Sequence, residues 1–176
     1  EGTMVLEFIK ANKPYIPEGS EDVTSYIKNS KKNYFQNIDV NNTILQESSF
    51  ITEYFYNYIL GFVGNEKDVT VAYKNNIDTI YKQLKESDPA FQKVQWMKLW
   101  QKFVDNNQAH TANYISSNYL IPLAKSSNDE ALIEDLTVFK NITIGNKATN
   151  FSWEEVLDNK TKLKKIFHKN IFFKKK

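Results

Sequence analysis

Apolar residues recur three and four positions apart from Met4 to Phe139, and this spacing constrains the fold more than any other feature of the chain. A period near 3.6 marks one face of a helix. Met4, Val5, Phe8 and Ile9 form the first such face, closed by Lys13-Pro14 because a residue before proline resists the α region. Ser20 is the expected N-cap of a second helix, with Val23, Tyr26 and Ile27 on its inner face and an end near Phe35. NIDVNN, residues 37–42, reads as a polar connector. A third helix starts at Ser48 or Ser49, carries Phe50, Ile51, Tyr54, Phe55, Tyr58 and Ile59, and ends at Gly61 or Gly64. Asp68 caps a fourth, with Val71, Ala72, Ile77, Ile80, Tyr81 and Leu84 along it. In Ser87-Asp88-Pro89, Asp88 is the cap and Pro89 takes the first helical position, where its missing N–H costs nothing. The fifth helix carries Phe91, Val94, Met97, Leu99, Trp100, Phe103 and Val104. A sixth covers Ala109 to about Ile121, with Pro122 near its end. Ser127-Asn128-Asp129-Glu130 has the spacing of a capping box and opens a seventh, with Leu132, Ile133, Leu136 and Phe139.

The expected fold is therefore all-α, an antiparallel bundle or array of about seven helices, with a short extended segment near the C-terminus. Only 5 Gly and 4 Pro in 176 residues leave few of the turns a β-sandwich needs. A hydrophobic fraction of 41% supplies material for one packed core. No fixed-period repeat is evident.

The chain has no cysteine, so it holds neither a disulfide framework nor a thiolate nucleophile. The formal charge of +2 conceals an asymmetry. Residues 160–176 contain 8 Lys and no acid; removing them from 23 Lys against 21 Asp and Glu leaves 15 − 21 = −6 for residues 1–159. All the basic residues are lysine, which reads phosphates less specifically than arginine does. Sequence-specific nucleic-acid binding is not expected. Glu1-Gly2-Thr3-Met4 carries no signal-peptide pattern, and no apolar run reaches the ~20 residues of a membrane span.

Catalytic and metal signatures are not visible. His110 and His168 lack partners at ligand spacing, and there is no H-E-x-x-H or glycine-rich phosphate loop. Glu154-Glu155 and the trio Glu130, Glu134 and Asp135 are carboxylate groupings of the kind ordinary solvated faces carry. No catalytic residue, cofactor or metal is expected. The aromatic stretch Phe50–Phe62 reads either as a buried helix or as a groove in which Tyr54 and Tyr58 anchor a partner. Trp96 and Trp100, one turn apart, read as core or as a docking face. TKLKKIFHKNIFFKKK, residues 161–176, reads as a frayed or altered terminus, a basic membrane-surface helix or a nonspecific nucleic-acid binder.

At ITIGNKATNFSW, residues 142–153, the pattern changes to β-formers around one glycine. Gly145, Ala148 and Phe151 resemble the G-x-x-A-P-x-F opening of thioredoxin-fold proteins of the TlpA/peroxiredoxin-like group, which is followed by an edge strand or hairpin. Thr149 stands where that family has proline. Upstream, Lys32-Asn33-Tyr34-Phe35, Ile38-Asp39, Leu45-Gln46-Glu47-Ser48-Ser49-Phe50, Tyr114-Ile115 and Tyr119-Leu120 resemble the helical N-terminal region of TlpA-like proteins from Bacteroidetes. The resemblance spans roughly residues 4–153. It implies a helical domain over 1–141, an extended start of a thioredoxin-like domain over 142–159, and a Lys-rich tail over 160–176 that is disordered or artificial. It also implies a periplasmic or envelope location and a non-catalytic role. The helical domain would pack on its own thioredoxin-like domain or bind a partner protein, with Phe151 and Trp153 as docking residues beside Tyr54, Tyr58, Trp96 and Trp100. Membrane contact would be restricted to the Lys-rich tail. The alternative is a free-standing helical module that binds a protein or ligand in an aromatic groove.

Overall fold

A computed structural model describes residues 3–64 and 67–143, and the backbone of residues 151–157 and 160–166. Over residues 3–143 the described chain is all-α. Its elements are α1 (Met4–Ala11), α2 (Val23–Asn33), α3 (Thr43–Gln46), α4 (Phe50–Gly61), α5 (Val69–Leu84), α6 (Pro89–Asp105), α7 (Ala109–Ile115), a π turn (Ser116–Leu120), α8 (Ile121–Ser126) and α9 (Glu130–Ile142). Strands β1 (Phe151–Leu157) and β2 (Lys160–Ile166) then pair antiparallel, from Phe151 opposite Ile166 to Leu157 opposite Lys160.

Side-chain oxygens start most of these helices by accepting otherwise orphaned N–H groups. Asp68 accepts from Thr70, and Asp88 from Ala90 and Phe91, as the sequence indicates. Three caps differ from expectation. Asp22, not Ser20, caps α2 by accepting from Thr24 and Ser25. Asp129, not Ser127, caps α9 by accepting from Leu132. Asn42 caps α3, a short helix the sequence reading did not expect, which buries Leu45 beside the connector that buries Val40. At α2 and α9 an Asx residue nearer the helix than the expected serine reaches the orphaned N–H groups first.

Pro122 does not end the sixth helical run; α8 continues to Ser126. Proline clashes with the carbonyl four residues back and cannot donate to it. The preceding π turn shifts the bonding register, so that the Ile121 N–H donates to the Ser116 carbonyl. That wider turn lets a helix pass through a proline.

Compactness divides the chain into two units, Glu1–Leu123 and Ala124–Lys176. In the first unit, α4 packs against α5 and α6, and α6 packs against α7 and the π turn. Ile51, Phe55, Ile59, Ile77, Ile80, Trp96, Leu99 and Phe103 are fully buried there. In the second unit, Leu136 and Thr143 are buried, and the expected trio Glu130, Glu134 and Asp135 is exposed. Within the Lys-rich tail, Lys160–Ile166 forms β2. Pairing supplies hydrogen-bond partners along one edge of β1. Gly145, Ala148, His168 and the rest of the tail lie outside the described residues.

Candidate functional site

Two aromatic assemblies hold most of the polar chemistry of the first unit. The first joins the end of α2 to α4. Tyr34 directly follows α2, and its ring lies 4.4 Å from that of Tyr54 and 5.1 Å from that of Tyr58. The hydrogen bonds are reciprocal. The Tyr54 hydroxyl donates to the Tyr34 carbonyl at 2.6 Å, and the Tyr34 hydroxyl donates to the Tyr54 carbonyl at 3.2 Å. Burial pushes the Tyr34 phenol up to about 12 and raises that of Tyr54 further. Both therefore stay protonated donors near neutral pH.

Two of the residues the sequence singled out as partner anchors are thus interior. Tyr54 is 8% exposed and Tyr58 2%. The stripe of α4 faces inward because helices lie on several sides of it, and their rings fill the space a groove would need. Phe8 and Phe50 extend the assembly, with centroids 5.0 Å apart.

The carbonyls at the end of α4 would be unsatisfied without help from other elements. Asn76, fully buried on α5, supplies it by donating to the carbonyls of Ile59 at 3.0 Å and Phe62 at 3.1 Å. Lys31 Nζ also donates to the Phe62 carbonyl, at 3.2 Å.

The second assembly surrounds the π turn. Trp96 is fully buried on α6 and stacks on Tyr119, with centroids 4.4 Å apart and planes 11° from parallel. Tyr81 approaches Tyr119 at 5.1 Å. The hydroxyls of Tyr114 and Tyr119 both donate to Asp78 Oδ1, at 2.6 and 2.5 Å. The π turn explains how two residues five apart reach one oxygen. On a regular α-helix they would diverge by roughly 140°, whereas one extra residue in the turn reduces this to roughly 40°. Burial, and then the Asp78 acceptor, raise both tyrosine pKa values. These hydroxyls are fixed donors rather than bases near neutral pH.

A cleft of about 190 Å³ adjoins this assembly, lined by Tyr81, Gln92, Trp96, Tyr119, Pro122 and Leu123. Trp96 itself is fully buried, and Trp100, one turn on, is half-buried. The side chains of Phe151 and Trp153 lie outside the described residues, and their backbone is in β1. His110 is exposed at the start of α7. Among the described residues, no three His, Cys, Asp or Glu side chains group as metal ligands, and no helix is long and apolar enough to cross a membrane.

Sequence reasoning missed Asp78, which lies 36 and 41 positions from its two tyrosines. The one local signal was Tyr114 and Tyr119 five apart with Pro122 following, a spacing that suits a widened turn. No protein-family model, curated protein or solved structure matches the chain.

Proposed function

We propose that the helical body is a non-catalytic N-terminal module of a TlpA-like thiol–disulfide protein of the cell envelope, packing on the thioredoxin-like domain or binding a partner protein. The observation that carries this reading is the hairpin. Strand β1 begins at Phe151, the last residue of the stretch that resembles G-x-x-A-P-x-F, and pairs at once with β2. The resemblance calls for an edge strand or hairpin at that point. A two-stranded hairpin is marginal by itself in water and needs further strands or a helix to cover it, which fits the start of a larger sheet. Thiol–disulfide exchange passes through a mixed disulfide, and this chain has no thiol to form one. Its contribution in such a protein is architectural.

The coding sequence following Trp153 tests the reading. A C-x-x-C within a βαβ pattern, a few tens of residues downstream in any frame, is the expected result. The two-part protein should then reduce insulin while the present chain does not. Absence of that motif in all three frames would refute the proposal.

The free-standing binding module retains one specific support, the cleft at Tyr81, Tyr119 and Pro122. Its groove would be there and not at Tyr54 and Tyr58, which are interior.

A further inference from the structure

The cleft beside Tyr81 lies wholly within the first unit and holds about 190 Å³. Drug-sized ligands ordinarily occupy pockets of about 300 Å³ or more, whereas an apolar cavity of about 150 Å³ takes a benzene ring. Space alone therefore restricts the occupant to one ring system or one side chain. Of the aromatic residues that line the cleft, Trp96 is fully buried, Tyr119 is 9% exposed and Tyr81 is 42% exposed. Tyr81 is the ring on which an entering ring can stack, with Pro122 and Leu123 as apolar wall.

The polar groups narrow the chemistry. Gln92 lines the cleft and is 7% exposed. Its amide nitrogen has two hydrogens, and both are spent on carbonyls, that of Ser87 at 2.8 Å and that of Lys85 at 3.3 Å. These bonds fix the orientation of the amide and leave Oε1 as an acceptor with no donor among the described residues. Asn118, which is exposed, also turns its amide nitrogen away, donating to the Tyr114 carbonyl at 2.8 Å. The Trp96 Nε1–H has no hydrogen-bond partner either, but it is shut off from solvent, so an entering molecule does not meet it. No residue lining the cleft is charged.

We propose that this cleft takes a neutral planar ring bearing an N–H donor, of the indole class, stacked on Tyr81 with its N–H donating to Gln92 Oε1. A free small molecule and a tryptophan side chain of a partner would present the same chemistry here. A ring with an acceptor at that position would set its lone pairs against those of Gln92. A hydrocarbon ring would cover the Gln92 acceptor and leave it unpaired, which weakens binding about tenfold. An ammonium group would give up its water with no lining carboxylate to receive it. The inference rests on the binding-module reading of the cleft and not on the hairpin. A downstream frame lacking C-x-x-C leaves it standing, and failure of the ring to bind leaves the hairpin reading untouched.

NMR titration of the full chain with indole and with benzofuran, the same bicycle with oxygen in place of N–H, tests it. Indole should shift the signals of Tyr81, Gln92 and Leu123 saturably, and benzofuran should bind about tenfold more weakly. Tyr81→Ala should weaken indole about fivefold, the scale of a lost aromatic stack, without altering the far-ultraviolet dichroism of the chain. N-acetyltryptophanamide separates the two sources. Binding at least as tight as that of indole assigns the ring to a partner's tryptophan, and weaker binding assigns it to a free small molecule; the ring class stands in both cases. Equal binding by benzofuran, indole binding unchanged in Tyr81→Ala, or shifts confined to another face would each overturn the proposal. So would the absence of any shift up to the solubility limit of indole.

Discussion

Helix α2 spaces Val23, Tyr26 and Ile27 three and four residues apart, and α4 does the same with Ile51, Tyr54, Phe55 and Tyr58. The two stripes look alike in sequence and differ in surroundings. Those four residues of α4 are buried, while the three of α2 are exposed. The difference lies in what stands opposite. Helix α4 meets α5 through Asn76, α6 through Thr52 donating to Gln95 at 2.7 Å, and the end of α2 through Tyr34. Helix α2 meets the chain around it through Tyr34 at its end and through Tyr26, whose ring lies 6.0 Å from that of Tyr15. An apolar stripe states that a helix has a face to cover; it does not state that the same chain covers it.

The largest test of this contrast is truncation inside α4. Phe55→Ala should destabilise the first unit by about 3–5 kcal/mol, because the buried ring leaves a cavity its packed surroundings cannot fill. Urea denaturation measures it, and a loss below about 1 kcal/mol would mean that the α4 stripe is no better packed than that of α2.

Asn76 is next. Asn76→Leu keeps an apolar volume but removes the donor to the Ile59 and Phe62 carbonyls. The Phe62 carbonyl keeps the Lys31 donor, and the Ile59 carbonyl loses its Asn76 donor, a loss that costs about 1–3 kcal/mol for a buried acceptor. An unchanged midpoint would show that the end of α4 is satisfied in some other way.

The tyrosine pair should give the fold an alkaline limit. The Tyr34 phenol is raised in the folded state from 10.0 to about 12, so its stabilisation is complete below pH 10 and is lost as the pH rises through 12. Thermal melts followed by dichroism should hold steady to about pH 10 and then fall. Tyr54→Phe, which deprives the Tyr34 carbonyl of its donor, should cost about 1 kcal/mol and shrink the alkaline loss. A melting profile with the same alkaline slope in that variant would remove the pair as its cause.

The smallest effects belong to α2. Asp22→Ala should cost about 1 kcal/mol by removing the cap. Val23→Ser, at a site 75% exposed, should change stability by no more than about 0.5 kcal/mol. A large loss from Val23→Ser would show that the face is already covered within this chain, and would erase the contrast with α4.

Much of the helical layout was legible because it is local. Asp68 and Asp88 stand one residue before their helices and bond within two or three positions. The bounds of α1, α4, α5 and α6 follow the apolar spacing and its punctuation. The misplaced caps at Ser20 and Ser127 also failed locally, since Asp22 and Asp129 lay two residues further on as competing acceptors. The candidate anchors are another matter. Tyr54, Tyr58 and Trp96 are large and periodic, and periodicity alone fits a groove as well as a core.

The sequence by itself determined that residues 4–142 form helices of about these lengths, that no thiol chemistry is possible in this chain, and that the pattern turns to strand formers after Ile142. Period, capping residues and composition are properties of neighbours along the chain, and they suffice for that. Only the tertiary structure decided that the stripe of α4 is interior while that of α2 is largely exposed, that Asn76 completes the end of α4, and that Asp78 gathers Tyr114 and Tyr119 across a π turn. Those outcomes depend on which surfaces meet over separations of 14 to 41 residues. Burial and long-range hydrogen bonding are set by the whole packed body, and no single segment carries that information.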